Sequence, residues 1–185
     1  MRNAPKAKWL PGERVQQSRK IEKILRVDHA GEFGARRIYA GQLAVLGHSP
    51  QAPVILDMAK QENEHFAAFD KAMKDYAIRP TALMPLWNIL GYALGAATAA
   101  LGPQAAMACT VAVEETIVAH YSHQLEALGH QDPALRKLIM KCRDDEDEHR
   151  KIGLKYGAQA TPAYSLLRAA IQSASRLAIA LSEKI

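Results

Sequence analysis

Only two cysteines, Cys109 and Cys142, occur in the chain, and they form no C-x-x-C pair. Neither a thiolate metal site nor a disulfide framework is indicated, and a reducing, cytosol-like compartment is the expectation. Strand-type alternation is scarce, so a sheet architecture is not expected. The first residues lack the apolar core of a secretory signal. No phosphate-cradling glycine loop, serine triad or nucleic-acid motif occurs, so no nucleic-acid partner is expected. A long uninterrupted hydrophobic run is missing as well. The uncharged stretch from Pro80 to Val113 is punctuated by Pro85, Gly91, Gly95, Gly102 and Pro103, and its middle is largely alanine. It reads as a buried or interfacial helical hairpin rather than a transmembrane helix.

What is present suits one globular domain. The 185 residues are 49% hydrophobic and 23% charged, enough to enclose a real core. Lys and Arg number 24 against 19 Asp and Glu, a net charge of +5. Much of the excess lies at the front, so residues 1–17 are expected to be a basic arm and 18–185 the folded domain. Such an arm can meet phosphates or simply be solvated.

Helical periodicity dominates. Leu25, Asp28, Glu32, Ala35, Tyr39, Gln42 and Leu46 form one 3-4 stripe that Gly47 ends. Ile55, Met58, Glu62, His65, Phe69, Ala72 and Tyr76 form a second, entered after Pro53. A third long helix is expected from Pro103 to Gly129, and a fourth begins at Asp132-Pro133, where Asp caps and Pro takes the first helical position. Two shorter apolar segments cover Leu83 to Ala100 and Pro162 to Ser182.

The long helices repeat. Glu32 is followed by Tyr39, Gln42-Leu43 and Leu46-Gly47-His48, and Glu114 by Tyr121, Gln124-Leu125 and Leu128-Gly129-His130, at identical offsets. Each copy then leads through a Pro-containing turn to Glu-x-x-His, Glu62 to His65 and Glu146 to His149. The expected fold is therefore all-α: a four-helix bundle built from two duplicated helical hairpins, with two additional shorter helices.

Glu and His three apart on a helix differ by about 60° in projection, so both can face one core. Within the acid run Asp144 to Glu148, Glu146 points inward, Asp144, Asp147 and Glu148 point outward, and Asp145 lies on the flank. On the outer face Arg143-Asp147 and Asp147-Lys151 have pairing distance along the helix. Glu32, Glu62, Glu114 and Glu146 all occupy apolar stripes, with no matching set of inward Lys or Arg. Buried unpaired carboxylates are strongly disfavoured, so something cationic is implied. Two divalent ions balance four carboxylates, and His65 and His149 complete a mixed oxygen and nitrogen shell of the kind found in carboxylate-bridged bundles. That shell favours iron or manganese. Asp145 is either an orienter of a ligand imidazole or a surface charge. Tyr39 and Tyr121 read first as core residues, His120 and His123 as polar or substrate-facing positions, and His29, His48 and His130 as residues near helix ends or turns.

The stretches "RVDHAGEFGARRIYAGQLAVLG", "QENEHF", "RPTALMPLWNILGYALGAATAALGPQAAMACTVAVEETIVAHY", "RDDEDEHRKIGL" and "PAYSLLRAAIQSASRLAIALSEKI" resemble the demethoxyubiquinone hydroxylases, ferritin-like di-iron monooxygenases of ubiquinone biosynthesis. The resemblance covers most of Arg26 to Ile185. It implies two iron ions per chain held by Glu32, Glu62, His65, Glu114, Glu146 and His149. It further implies O2 activation, electrons from NADH, and hydroxylation of a polyprenylated methoxybenzoquinol ring. His120 and Tyr121 match a family His-Tyr pair near the metals, and a family aromatic near the quinone site corresponds to Ala180 here. The uncharged 80–113 segment would then rest on a membrane, with a buried cover or dimer face as the plainer use. Peripheral attachment to the cytoplasmic face of a bacterial membrane, or to the matrix face of the mitochondrial inner membrane, follows from the same resemblance, as do a homo-oligomer and a lipid-binding accessory protein. A ferritin-like protein that binds or oxidises iron without hydroxylating is the alternative.

Overall fold

The computed structural model describes residues 13–184, and the expected basic arm falls mostly outside them. Among the described residues there are six α-helices: α1 (Glu13–Leu46), α2 (Ala52–Asp75), α3 (Met84–Ala100), α4 (Pro103–Leu128), α5 (Pro133–Lys155) and α6 (Tyr164–Ser182). A short 3-10 turn, Ala158–Ala160, joins the last two, and no strand occurs among the described residues. Helix α1 begins at Glu13, so residues 13–17, assigned to the arm from sequence, continue the helix.

The helix limits follow local chemistry. Pro53 and Pro133 stand in the first turns of α2 and α5, where a missing N–H costs nothing. Asp132 caps α5 by accepting a hydrogen bond from the Leu135 N–H at 3.0 Å. Helix α4 stops at Gly129, whose φ of 57° with ψ of −124° is a positive-φ conformation that glycine adopts without a Cβ penalty.

Helices α1 and α2 form one hairpin and α4 and α5 the other, and together they make a ferritin-like four-helix bundle. Two apolar layers close it. One contains Ile24, Leu25, Phe69, Met73, Leu125, Leu128 and Ile139, and the other contains Tyr39, Ile55, Met58, Met107 and Val111. The inward glutamates lie between these layers, away from water.

Helices α3 and α6 cover the bundle's flank, α3 against α1 and α4, and α6 chiefly against α4. A Cβ at Gly41 would overlap the Tyr92 carbonyl, and one at Gly95 would overlap the Ile38 carbonyl. The two backbones therefore touch, which only hydrogen at these positions permits. Gly91 and Gly95 do not interrupt α3. No helix among the described residues is long and apolar enough to cross a membrane. Apolar side chains nonetheless remain on the outside of this flank: Ile89 and Leu90 on α3, Leu101 just after it, and Leu166 and Leu177 on α6.

Candidate metal centre

The two hairpins bring Glu32 from α1, Glu62 and His65 from α2, Glu114 from α4, and Glu146 and His149 from α5 into one buried cluster. Their donor atoms form two overlapping groups. Glu32, Glu62, His65 and Glu146 converge within 4.8 Å, and so do Glu62, Glu114, Glu146 and His149. Glu62 and Glu146, the acids of the two Glu-x-x-His motifs, belong to both groups.

The orientation of each histidine is specific. His65 turns Nδ1 toward Glu146 Oε1 at 3.0 Å and Glu32 Oε2 at 3.5 Å. His149 turns Nδ1 toward Glu146 Oε2 at 3.0 Å and Glu62 Oε1 at 3.1 Å. The outer nitrogens are also occupied. His65 Nε2 donates to Asp145 at 2.9 Å and His149 Nε2 to Gln61 at 2.6 Å. With Nε2–H held in this way, Nδ1 is the nitrogen aimed at the cluster, and loss of its proton leaves a lone pair there, the arrangement seen in imidazoles that bind metals.

The carboxylates show the same demand for cations. Both oxygens of Glu62 and one each of Glu32 and Glu114 are buried without a hydrogen-bond partner. Burial first, and then the negative neighbours Glu146 and Glu32, pushes the Glu62 carboxyl well above the usual carboxylate range. Burial does the same to Glu114, with Glu146 adding to it. For Glu146 burial again pushes upward, but hydrogen bonds from His149 and His65 outweigh it and hold the carboxyl below its ordinary value. Burial opposes a charged His65, yet its bond to Glu146 and the nearby Glu32 carboxylate hold the imidazole up at about 11. Orphaned oxygens, clustered acids and aimed imidazoles together fit a metal site.

A pH dependence follows. Metal needs Glu62 and Glu114 ionised and His65 neutral, so binding displaces protons and affinity rises with pH. Roughly a tenfold gain per pH unit for each displaced proton is expected between pH 6 and 8, readable by calorimetry in buffers of different ionisation enthalpy. The metal-free protein runs the other way. Above an ordinary carboxyl value of 4.5 the unfolded acids ionise while Glu62 and Glu114 keep their protons, so stability falls as pH rises. From 6.5 to about 11 His65 acts in the same sense, because its proton is held in the folded state alone.

Around the cluster the hairpins hold one another's acids. Tyr39 donates its hydroxyl proton to Glu114 Oε1 at 2.8 Å, and Tyr121 donates to Glu32 Oε1. Gln42 bonds the Ala106 carbonyl at 3.1 Å and the Thr110 hydroxyl at 3.4 Å, while its counterpart Gln124 donates to Asp28 Oδ1 at 2.7 Å. His120 is 2.8 Å from Gln124 Nε2, and its own Nε2 must accept that bond. Burial, aided by His123, lowers the His120 imidazole to about 4 and keeps it neutral. It stands 3.8 Å from Asp28, beside a polar depression between α4 and α6 that Glu115, Arg168 and Gln172 also line.

An apolar cavity of about 180 Å³ lies between α1, α3, α4 and α6, and shares Ile179 with the depression beside His120. Gly31 and Val113, which line it, are the immediate neighbours of Glu32 and Glu114. Leu90 and Ile179 lie toward its α3 and α6 walls, and Trp87 ties these helices by donating to Ser182 Oγ at 3.0 Å. Ala180 is exposed and does not line the cavity.

Several sequence expectations change in detail. Arg143 pairs with Asp144 at 2.6 Å instead of Asp147, which is held by Arg150 at 2.8 Å and Lys151 at 2.9 Å. His29 is not near a helix end: α1 starts well before it, and the ring is buried against Phe66, 3.7 Å from Asp70. Asp28, Gln61 and Gln124 were not singled out as site residues. Position on the inward stripe could have flagged Asp28, Gln124 repeats Gln42, and Gln61 holds the place in its motif that Asp145 holds in the other.

Comparison with known proteins agrees with the resemblance. A family model described as Ubiquinone biosynthesis protein COQ7 matches residues 19–182. The chain is 53% identical over 169 residues to the human NADPH-dependent 3-demethoxyubiquinone 3-hydroxylase, mitochondrial, covering 89% of this chain and 78% of that protein. It is 49% identical over 177 residues to the 3-demethoxyubiquinol 3-hydroxylase of Rhodospirillum rubrum, covering 95% and 83%. The 5-demethoxyubiquinone hydroxylase, mitochondrial, of Saccharomyces cerevisiae is 37% identical over 182 residues, covering 89% and 78%. An all-helical bundle with paired Glu-x-x-His motifs, matched over nearly its whole length by these relatives, belongs to the demethoxyubiquinone hydroxylase family of ubiquinone biosynthesis.

Proposed function

We propose that the protein is a di-iron monooxygenase that hydroxylates a polyprenylated methoxybenzoquinol, demethoxyubiquinol, in ubiquinone biosynthesis. The observation that carries the chemistry is the pair of overlapping carboxylate and imidazole groups sharing Glu62 and Glu146. Glu32 and His65 complete one metal position, and Glu114 and His149 the other. When bound there, two iron ions supply O2 activation and storage of the electrons that hydroxylation consumes.

The chain's own groups prepare that chemistry. Tyr121 and Tyr39 fix the terminal carboxylates Glu32 and Glu114 from the opposite hairpin. The apolar layers above and below exclude water, so charges in the site interact strongly. A quinol ring enters through the apolar cavity and meets the centre beside Gly31 and Val113. Insertion of one oxygen atom into the ring, with the other leaving as water, takes two electrons and two protons. Neutral His120 lies between the depression lined by Glu115 and Arg168 and buried Asp28, 3.8 Å away, so a proton can pass directly between these two groups. Electrons come from a reduced nicotinamide, either NADH or, as the human relative's name indicates, NADPH.

The outer face of α3 and α6 suits a peripheral membrane position. Ile89 is 65% exposed, Leu101 74% and Leu166 73%, and α3 carries no charged residue. Leu90 belongs both to this face and to the cavity wall, so a lipid tail could pass from bilayer to centre without crossing water. The membrane is then the bacterial cytoplasmic membrane or the mitochondrial inner membrane, and the same face can receive a lipid-binding accessory protein or another copy of the chain.

The discriminating experiment supplies the iron-loaded protein with demethoxyubiquinol, O2 and NADH or NADPH, and follows product mass. Gain of one oxygen atom derived from labelled O2 is expected. Iron oxidation with two-iron loading and no heavier quinol would replace this reading with that of a ferritin-like iron-oxidising protein.

A further inference from the structure

The two metal positions are related by the hairpin duplication, and almost every supporting contact recurs in both halves. Tyrosines reach the opposite terminal glutamate in each half, and Gln42 and Gln124 brace the opposite hairpin at Thr110 and Asp28. The histidine supports also recur in geometry, since Gln61 and Asp145 each precede the Glu of a Glu-x-x-His motif. Each crosses to the other hairpin and accepts from an imidazole Nε2, Asp145 from His65 and Gln61 from His149. In chemistry they differ, for one acceptor is a carboxylate and the other a carboxamide.

We propose that the two positions are inequivalent, the one completed by Glu32 and His65 holding its divalent ion more tightly than the one completed by Glu114 and His149, because Asp145 rather than Gln61 backs its imidazole. A carboxylate accepts the Nε2–H more strongly than an amide oxygen. It thereby raises electron density at Nδ1, the nitrogen that faces the ion, and fixes the ring more firmly. Lys141 bonds the same Asp145 oxygen at 2.7 Å and draws off part of this effect. Its side chain is 61% exposed, so water shares that charge, and the second Asp145 oxygen is not engaged by it. Asp145 is thus a positioning residue that acts through His65. The proposal rests on the dinuclear reading but not on the identity of the organic substrate.

Cobalt(II) titration followed by absorbance tests it, using full-length variants that each retain one complete terminal pair. Glu114→Gln keeps the Glu32 and His65 position, and Glu32→Gln keeps the other. Tighter binding by the Glu114→Gln chain, by roughly tenfold or more, is expected. Adding Asp145→Asn to it should remove the advantage, whereas adding Asp145→Glu should preserve it. The same Asp145→Asn change should leave the Glu32→Gln chain unaltered. Circular dichroism confirms that each variant is helical, and Mössbauer spectra of the wild-type chain with one equivalent of iron give an independent reading, one dominant doublet. Equal affinities in the two single-position chains, or equal weakening of both by Asp145→Asn, would overturn the inequivalence while leaving the dinuclear centre standing. No cobalt or iron binding by the wild-type chain would overturn the centre and the proposal together.

Discussion

Glu62→Leu is expected to abolish loading at both metal positions and yet to leave a metal-free protein more stable than the wild type. Glu62 belongs to both overlapping groups, so its loss removes a shared ligand and not half a site. Replacing even an outer partner of a ligand costs 10- to 100-fold in metal affinity, and loss of a shared ligand should cost more than about a hundredfold per ion. Hydroxylation should fall below detection with it. Stability moves oppositely because both Glu62 oxygens are buried without partners, and burial pushes the group well above the usual carboxylate range. Leucine has similar volume and needs neither a proton nor a partner. A buried polar group left without a partner costs roughly 1–3 kcal/mol, which an apolar side chain of similar size does not incur. Metal analysis combined with urea denaturation at pH 7.5 checks both signs. A destabilised metal-free Glu62→Leu protein would mean that this carboxylate is not a strained group awaiting a cation.

Gly34→Leu should separate metal loading from turnover. Gly34 lines the apolar cavity, and nothing lies within 4 Å of the place its Cβ would occupy. A leucine therefore extends into the cavity without displacing backbone, and in mid-helix it is favoured over glycine by up to about 1 kcal/mol. Iron content and melting temperature should match the wild type or exceed it. Turnover of a long-tailed quinol should fall by about 10- to 200-fold in kcat/KM, the range for steric mismatch in an apolar pocket. Unchanged turnover would show that substrate reaches the centre by another route.

The legibility of this molecule in its sequence follows from duplication. A single Glu-x-x-His recurs by chance, but two copies, each preceded by an inward glutamate and followed through the same Tyr, Gln and Gly spacings, specify two hairpins and six converging residues. Helix phase alone separated Glu146 from its outward neighbours. Asp145, on the flank, needed the third dimension. Its side chain accepts from both Lys141 and the imidazole of His65, and only the placement of α2 beside α5 shows the second contact.

Other features depend on tertiary neighbours in the same way. Gly91 and Gly95 look like interruptions in an apolar segment, whereas they are the places where α3 lies against the backbone of α1. His29 was misplaced because the stripe beginning at Leu25 conceals a helix that starts at Glu13, where charged residues outnumber apolar ones. Gln61 is an exposed polar residue by every local criterion, and its contact with His149 exists only between hairpins. Local pattern determines which way a residue faces along its own helix. What it meets there depends on packing.

The central claim is that six side chains from four helices hold two metal ions, with Glu62 and Glu146 shared. Anomalous diffraction at the iron edge, from crystals of the iron-loaded protein, tests it most directly. Two peaks about 3.5–4 Å apart are expected between the Glu-x-x-His motifs, one next to His65 Nδ1 and the other next to His149 Nδ1. A single peak, or iron bound outside the Glu32, Glu62, Glu114 and Glu146 cluster, would contradict it.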